Sequence, residues 1–314
     1  MSTRHSRPGG AGRKSSRPGG SGRKTSRPTA SNPFPFFAAA LLCAAGVAAT
    51  YLLFVRTVVG QLVDEGALRE AELTRTGISS GLQDFLDLLP LISVVIAGPI
   101  ILLVTIARRR WYAAVVAALA MVGANLTTQL LKDVILQRPE LGVQTLAQNS
   151  LPSGHATLAA SSAAALFLMS SPRRRPLVAA VGGTYAVIAG GATLINLWHR
   201  PSDVVAAFLV VGAWTAVAGW FILRAGTSWN VWYGLGEHWA DSRIWPGATA
   251  AIGFCAGVLA ALFVLVSTPT LDTPADPERL PLLYAAGLAM VISSGYLLTA
   301  MGTLLFTRAV RTRR

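Results

Sequence analysis

Long apolar runs separated by short polar stretches make up most of this chain. Eight runs come close to the roughly 20 residues that a helix needs to cross a bilayer. They are predicted at 36–55, 86–107, 111–131, 154–171, 177–197, 203–224, 246–268 and 281–306. Because a single segment in lipid must satisfy its own backbone hydrogen bonds, all eight are expected to be helices. The pattern therefore predicts an all-α, polytopic membrane bundle of about eight transmembrane helices.

Composition supports a membrane protein and argues against a soluble one. The 314 residues are 53% hydrophobic and only 13% charged, whereas soluble domains average about 25% charged residues. A cytosolic enzyme, a secreted domain and a DNA-binding protein all fit these values poorly. The two cysteines, Cys43 and Cys255, lie inside apolar runs and have neither disulfide-framework nor metal-ligand spacing.

The net charge of +13 is explained by membrane topology. If the N-terminus is cytoplasmic and the eight spans alternate, 20 of the 27 basic residues but only 2 of the 14 acidic residues fall on the cytoplasmic side. This asymmetry is the one that orients membrane proteins. Both termini are therefore predicted to be cytoplasmic, and no nucleic-acid partner is needed to account for the charge.

Residues 1–34 form a basic tail with a ten-residue repeat. It is rich in Gly and Pro and has almost nothing to bury, so it is expected to be disordered. Two interpretations of the tail stay open. It is either a solvated topology determinant or a segment attracted to anionic headgroups.

Three polar stretches are not required by topology, and all fall on the predicted extracytoplasmic side. They are residues 132–139, 151–155 and 198–203. In the first, Lys132 and Arg138 form a candidate clamp for the oxygens of a phosphate, since Arg offers a bidentate fork and Lys a point charge. The alternative is a lysine that reaches from a helix end to the membrane surface and an ordinary loop arginine.

The other two stretches carry residue types used in nucleophilic and acid–base chemistry. Ser153 suits a helix N-cap, Gly154 allows close backbone approach to a ligand, and His155 follows in the first turn. His199 and Asp203 are one helical turn apart, so the carboxylate can orient the imidazole. Each short pattern occurs often by chance. Their occurrence together, on one side of the membrane, is what favours a functional site.

In order and spacing, these motifs resemble the type 2 phosphatidic acid phosphatase family of integral membrane lipid phosphatases. The family pattern is K-x6-R-P, then P-S-G-H, then S-R-x5-H-x3-D, on a six-helix core. Residues 152–155 match the second motif fully, and His199 and Asp203 match the end of the third. The first motif, from Lys132 to Arg138, is one residue shorter than the pattern. The resemblance implies a phosphatase core at 35–224, followed at 225–314 by a cytoplasmic loop, two more helices and a basic C-terminus.

The Ser-Arg half of the third motif is missing. Ala192 and Thr193 occupy these positions, where the family has an arginine that helps to hold the phosphate. Arg200 and Asn196 are the candidates to compensate. A catalytically impaired relative that binds or moves a phospholipid is therefore the alternative to an active enzyme.

The resemblance implies a role for each matching residue. His199 would attack phosphorus to form a phosphohistidine, Asp203 would orient it, and His155 would protonate the leaving group and then activate water. The equatorial oxygens would be stabilised by a phosphate-binding group made of Lys132, Arg138, Ser153 and Gly154. No metal or other cofactor is expected.

A site at the outer membrane–water boundary indicates a lipid phosphate as substrate. Polyprenyl diphosphates, phosphatidic acid and phosphatidylglycerol phosphate all remain open, with a slight preference for a lipid of a bacterial envelope. The predicted location is the cell membrane, with the site facing the extracytoplasmic side. A transporter or channel with chance motifs is a third interpretation, but the spans hold almost no ionisable residues at mid-depth, which argues against it.

Overall fold

The computed structural model describes residues 32–75, 80–143, 149–225, 228–230, 238–267 and 281–310. This part of the chain is helical and contains no strand. Its α-helices are α1 (Phe34–Thr50), α2 (Val58–Arg75), α3 (Ser80–Arg108), α4 (Trp111–Leu130), α5 (Gly154–Met169), α6 (Arg175–Ile195), α7 (Pro201–Arg224), α8 (Ile244–Ser267) and α9 (Leu282–Val310). Almost all of the predicted basic tail lies outside the described residues.

Each of the eight predicted apolar runs coincides with a helix, but not every helix has the length of a full span. Six segments of the described chain are long and apolar enough to cross a membrane: Phe34–Val55, Trp111–Ile135, Arg175–Ile195, Pro201–Arg224, Trp239–Ser267 and Leu282–Ala309. The apolar segments Val95–Arg108 and Gly154–Met169 are shorter. Large apolar side chains such as Leu41, Leu103 and Leu126 are exposed on the outside of the bundle, as expected where lipid is the solvent.

Helix α2 is the element that the apolar pattern misses. The eight runs leave residues 56–85 as a polar connection, yet residues 58–75 form a helix. This helix is stabilised by tertiary contacts, because Val63 and Ala67 are buried in one cluster with Leu283 of α9. The Glu70 carboxylate also accepts a hydrogen bond of 2.9 Å from the Tyr284 N–H in the first turn of α9. A carboxylate at a helix N-terminus is favourable because it meets unpaired amides and the positive end of the dipole.

Small residues bring the helices close together. One face of α4 buries four alanines, at 113, 117, 120 and 124, against its neighbours. Gly219 of α7 lies so close to α9 that an added Cβ would be 2.2 Å from Phe306. The Phe306 ring contacts the Phe36 and Phe167 rings edge-on, with centroid distances of 5.6 and 4.8 Å. Helix α9 is therefore packed into the bundle and is not a peripheral addition.

The connections between helices gather at two ends of the bundle. The "site end" holds α2 and residues 131–143, 149–153 and 196–200 of the connections between helices. The Ser153 N–H donates a 3.0 Å hydrogen bond to the carbonyl of Asp203 in the first turn of α7. The "arginine end" holds residues 109–110, 170–174, 225, 228–230 and 238–243 of the other connections. There the Arg110 guanidinium donates to the Met169 carbonyl. The three motif stretches of the sequence all lie at the site end.

Candidate active site

His199 and Asp203 meet at the start of α7. Pro201 is the first residue of the helix, a position that suits proline because the amide it lacks would have no helical partner. Asp203 in the first turn folds back, so that Oδ2 accepts a 3.0 Å hydrogen bond from the Arg200 N–H and lies 3.2 Å from His199 Nδ1. Both side chains of this pair are buried, at 7% and 1% exposed. Because Nδ1 faces the carboxylate, Nε2 is the nitrogen available for chemistry.

The turn before His199 is held in a sparsely populated conformation. Leu197 has a φ of 61°, which is unusual for a residue with a branched side chain. The N–H groups of Trp198 and His199 both donate to the Thr193 carbonyl at the end of α6, at 2.9 and 3.2 Å. Such conformations persist where surrounding contacts determine them and are concentrated at functional sites.

The second motif opens α5 as the sequence indicates. Ser153 is the N-cap, with an extended backbone, and its Oγ accepts a 3.2 Å hydrogen bond from the Ala156 N–H. Gly154 and His155 are therefore the first two residues of the helix, whose N-terminal amides suit an anionic ligand. The His155 side chain is exposed, and its ring centroid lies 5.9 Å from that of His199 and 4.9 Å from that of Trp198. The structure thus brings the two motif histidines together.

The two cations of the first motif are placed differently. Arg138 is buried at the site end, and its Nη2 donates to Glu65 Oε1 at 3.3 Å. Burial, followed by the charge of the nearby Arg200, lowers the pKa of Arg138. Lys132 lies in a π-helical turn, Leu131–Ile135, at the end of α4 and is half-buried. Within the described residues its side chain makes no hydrogen bond or ion pair, so neither kind of interaction joins it to the histidines.

Arg200, one of the two candidates to replace the missing arginine, lies inside the site. Its Nη1 donates to Ser150 Oγ at 2.6 Å, and that hydroxyl donates to Asp203 Oδ2 at 2.6 Å. Its Nε donates to Glu65, the same carboxylate that receives Arg138. A guanidinium is therefore linked through one hydroxyl to the carboxylate that orients His199.

The other candidate and the substituted position lie at the end of α6. Asn196 follows the last helical residue and is buried, and its N–H donates to the Ala192 carbonyl at 2.9 Å. Thr193 is also buried, and its hydroxyl donates to the Gly190 carbonyl at 2.7 Å. The threonine therefore makes contacts within its own helix and does not replace the hydrogen bonds of an arginine.

Two acidic residues of α2 belong to the site, although none of the three sequence motifs predicts them. Glu65 bridges Arg138 and Arg200, while Asp64 accepts hydrogen bonds from both the N–H and the hydroxyl of Ser202. Burial, followed by the charge of Asp203, raises the pKa of Asp64 to about 7. The signal in the sequence is helical periodicity, because Val63, Ala67 and Ala71 repeat every four residues and are buried on one side of α2.

The site therefore combines a histidine–aspartate pair, a second histidine, a helix N-terminus and two buried guanidiniums. This set can orient a nucleophile, move a proton and balance the negative charge of a phosphoryl group. Within the described residues, no group of three His, Cys, Asp or Glu side chains is placed to hold a metal ion.

Comparison with known proteins identifies the domain that carries these motifs. Residues 113–227 match the PAP2 superfamily, which confirms the resemblance drawn from the motifs. The chain therefore contains a PAP2 superfamily domain, a domain of a phosphatase family, and the matched region covers α4 to α7 with their connections. Helix α2, with Asp64 and Glu65, lies outside it. No curated protein and no solved structure matches the chain.

Proposed function

We propose that this protein hydrolyses a phosphate or diphosphate monoester of a lipid through a phosphohistidine on His199. The observation that carries the proposal is the buried His199–Asp203 pair, with His155 beside it, inside the matched domain. Phosphoryl transfer needs mainly positioning and charge neutralisation, and the site offers groups for both.

The proposed reaction has two steps. His199 Nε2 attacks phosphorus as the bond to the lipid oxygen breaks, and His155 gives its proton to that leaving oxygen. Water then attacks the phosphohistidine as the P–N bond breaks, and His155 takes the proton that the water loses. Asp203 holds the Nδ1–H and favours the positive charge that the imidazole acquires. Ser153 and Gly154 would contribute from the helix N-terminus, with Arg138, Lys132 and Arg200 as the cationic groups.

The position of the site relative to the membrane indicates the class of substrate that we propose. The site end lies at one end of apolar helices, where a lipid phosphate reaches the water while its tail stays between helices or in the bilayer. Polyprenyl diphosphates, phosphatidic acid and phosphatidylglycerol phosphate all have this form. We place the site on the extracytoplasmic face of the cell membrane, because the arginine end matches the side on which basic residues accumulate.

Phosphate release by the purified full chain in detergent tests the proposal. The assay contains EDTA and compares the three lipid phosphates with the unmodified protein and with His199→Ala. A matched control is His238→Ala, since His238 lies in the connection between α7 and α8 at the arginine end. We expect release that persists in His238→Ala and is lost in His199→Ala. Phosphate release that persists in His199→Ala would refute the proposed phosphohistidine intermediate on His199.

A catalytically impaired relative is the second candidate, and two observations favour it. Thr193 replaces the motif arginine, and Glu65 already neutralises part of the charge of Arg138 and Arg200. On this alternative the folded protein binds the lipid phosphates but releases no phosphate from any of them. Lipid binding without turnover, unchanged in His199→Ala, would support it over the enzyme.

A further inference from the structure

A large cleft opens at the arginine end, and none of its lining residues belongs to the three motif stretches. It has a volume of about 900 Å³ and lies between α3, α5 and α6. Its walls are mostly apolar, with Ile96, Ile100 and Val104 from α3 facing Leu177 and Val181 from α6. A cleft of this size falls within the range of sites that hold a small organic ligand.

The rim of the cleft is strongly basic. Four arginines border it, Arg108, Arg110, Arg173 and Arg174, and the lining residues include no aspartate or glutamate. The three ion pairs described above, Arg138–Glu65, His199–Asp203 and Arg200–Glu65, lie at the site end, and none of them involves these four arginines. The rim therefore concentrates positive charge next to an apolar wall.

Arg110 shows most clearly that this charge is held in place. Its guanidinium stacks on the Trp229 ring at 4.1 Å and donates to the Met169 carbonyl, so its position is fixed by protein contacts. Its Nε is buried and has no hydrogen-bond partner among the described residues. Burial, with the charges of Arg108 and Arg174, lowers the pKa of Arg110. An anion at the rim would relieve this crowding of like charges.

We propose that this cleft binds an anionic phospholipid of the leaflet at the arginine end, with its headgroup phosphate among the rim arginines and an acyl chain along α3 and α6. The length of the apolar wall supports a lipid over a free anion. Ile96 and Arg108 are twelve residues apart, which is about 18 Å along a helix. This length matches about half of a 30 Å hydrocarbon core, the depth of one leaflet.

The charge of the rim selects among lipids. A phosphatidylglycerol headgroup carries one uncompensated negative charge, whereas the ammonium of phosphatidylcholine would face the four arginines. The site is independent of the proposed phosphatase reaction, because it lies at the opposite end of α5 and α6 and phosphatidylglycerol is a phosphodiester rather than a phosphate monoester.

Native mass spectrometry of the full chain, released from detergent with equal amounts of phosphatidylglycerol and phosphatidylcholine, tests this site. We expect the unmodified protein to retain phosphatidylglycerol by about tenfold or more over phosphatidylcholine, given the known attraction of basic clusters to anionic lipids. The double variant Arg108→Gln, Arg174→Gln should bring this ratio close to parity. The matched control Arg308→Gln, an exposed arginine in the last turn of α9, should leave the ratio unchanged.

A second variant tests the apolar wall without changing charge. Val181 is 61% exposed, so Val181→Trp can fill the cleft without disturbing the core, and it should lower the amount of phosphatidylglycerol retained. Equal retention of the two lipids by the unmodified protein would overturn the proposal. So would a loss in Arg308→Gln as large as that in the double variant, because the preference would then come from diffuse surface charge.

Discussion

The substitution Asp203→Asn tests the chemistry of the site most directly. Oδ2 of Asp203 accepts hydrogen bonds from Ser150 Oγ, the Arg200 N–H and His199 Nδ1. An asparagine oxygen can occupy the same position and accept from the same three donors. The substitution therefore removes the negative charge while it preserves most of the local geometry.

The size of the effect follows from the distance between the two groups. Opposite unit charges 3.2 Å apart interact by about 5 kcal/mol at an effective dielectric constant of about 20. Both groups are buried, so solvent screens this interaction little. Each 1.4 kcal/mol is about a tenfold change in rate. In the proposed reaction His199 gains positive charge as it attacks phosphorus. Because the asparagine retains part of the interaction through its dipole, we expect kcat to fall about a thousandfold.

The assay is steady-state phosphate release with a lipid phosphate in detergent, together with thermal unfolding of each variant. Because Asp203 lies behind His199 and is buried, KM is expected to change by less than about threefold while kcat carries the loss. The matched control is Asp133→Asn, an exposed carboxylate at the same end of the bundle, which should leave both constants unchanged. A loss in kcat smaller than tenfold in folded Asp203→Asn would refute the role assigned to this carboxylate.

Three further substitutions have defined outcomes. The first concerns Asp64, whose pKa is about 7 in the folded protein against an ordinary 3.8. Between these pH values the folded protein keeps a proton that the unfolded chain loses, so stability should fall as the pH rises from about 4 to about 7. Asp64→Asn should abolish this decline in melting temperature. If the melting temperatures of the variant and the unmodified protein change with pH in the same way, the raised pKa of Asp64 is wrong. Thr193→Arg places a charge at a buried helix end, so it should lower the melting temperature and leave phosphate release no higher than before. An increase in phosphate release would show that Arg200 does not replace the motif arginine. Gly219→Ala forces a Cβ against Phe306 and should cost about 1–3 kcal/mol of stability, measured by chemical unfolding in detergent, whereas an unchanged stability would mean that α9 packs loosely.

The site holds an arginine beside the His199–Asp203 pair although the motif position is Thr193. Arg200 comes directly after His199 and reaches Ser150 and Glu65, so a guanidinium is present close to Asp203 although Thr193 is not an arginine. Its partner Glu65 comes from a helix outside the matched domain. Arg138 and Arg200 share this one carboxylate, so under the proposed function the affinity of the site for phosphate depends on helix α2.

The sequence by itself determined the helical architecture and the motif residues. Apolar runs of bilayer length specify helices locally, because each helix satisfies its own backbone hydrogen bonds in lipid. The N-cap at Ser153 and the turn from His199 to Asp203 are also local, since their contacts join residues at most four positions apart. These features could therefore be predicted without knowledge of the fold.

Only the tertiary structure decided which distant groups share the site. Glu65 meets Arg138 and Arg200 across separations of 73 and 135 residues, and no local pattern encodes such pairs. The apolar runs do not indicate helix α2, because its apolar face is too short for a span, and packing against α9 stabilises the helix. The basic cleft likewise depends on how α3 lies beside α5 and α6. Long-range packing sets these contacts, whereas periodicity and capping set only the elements that make them.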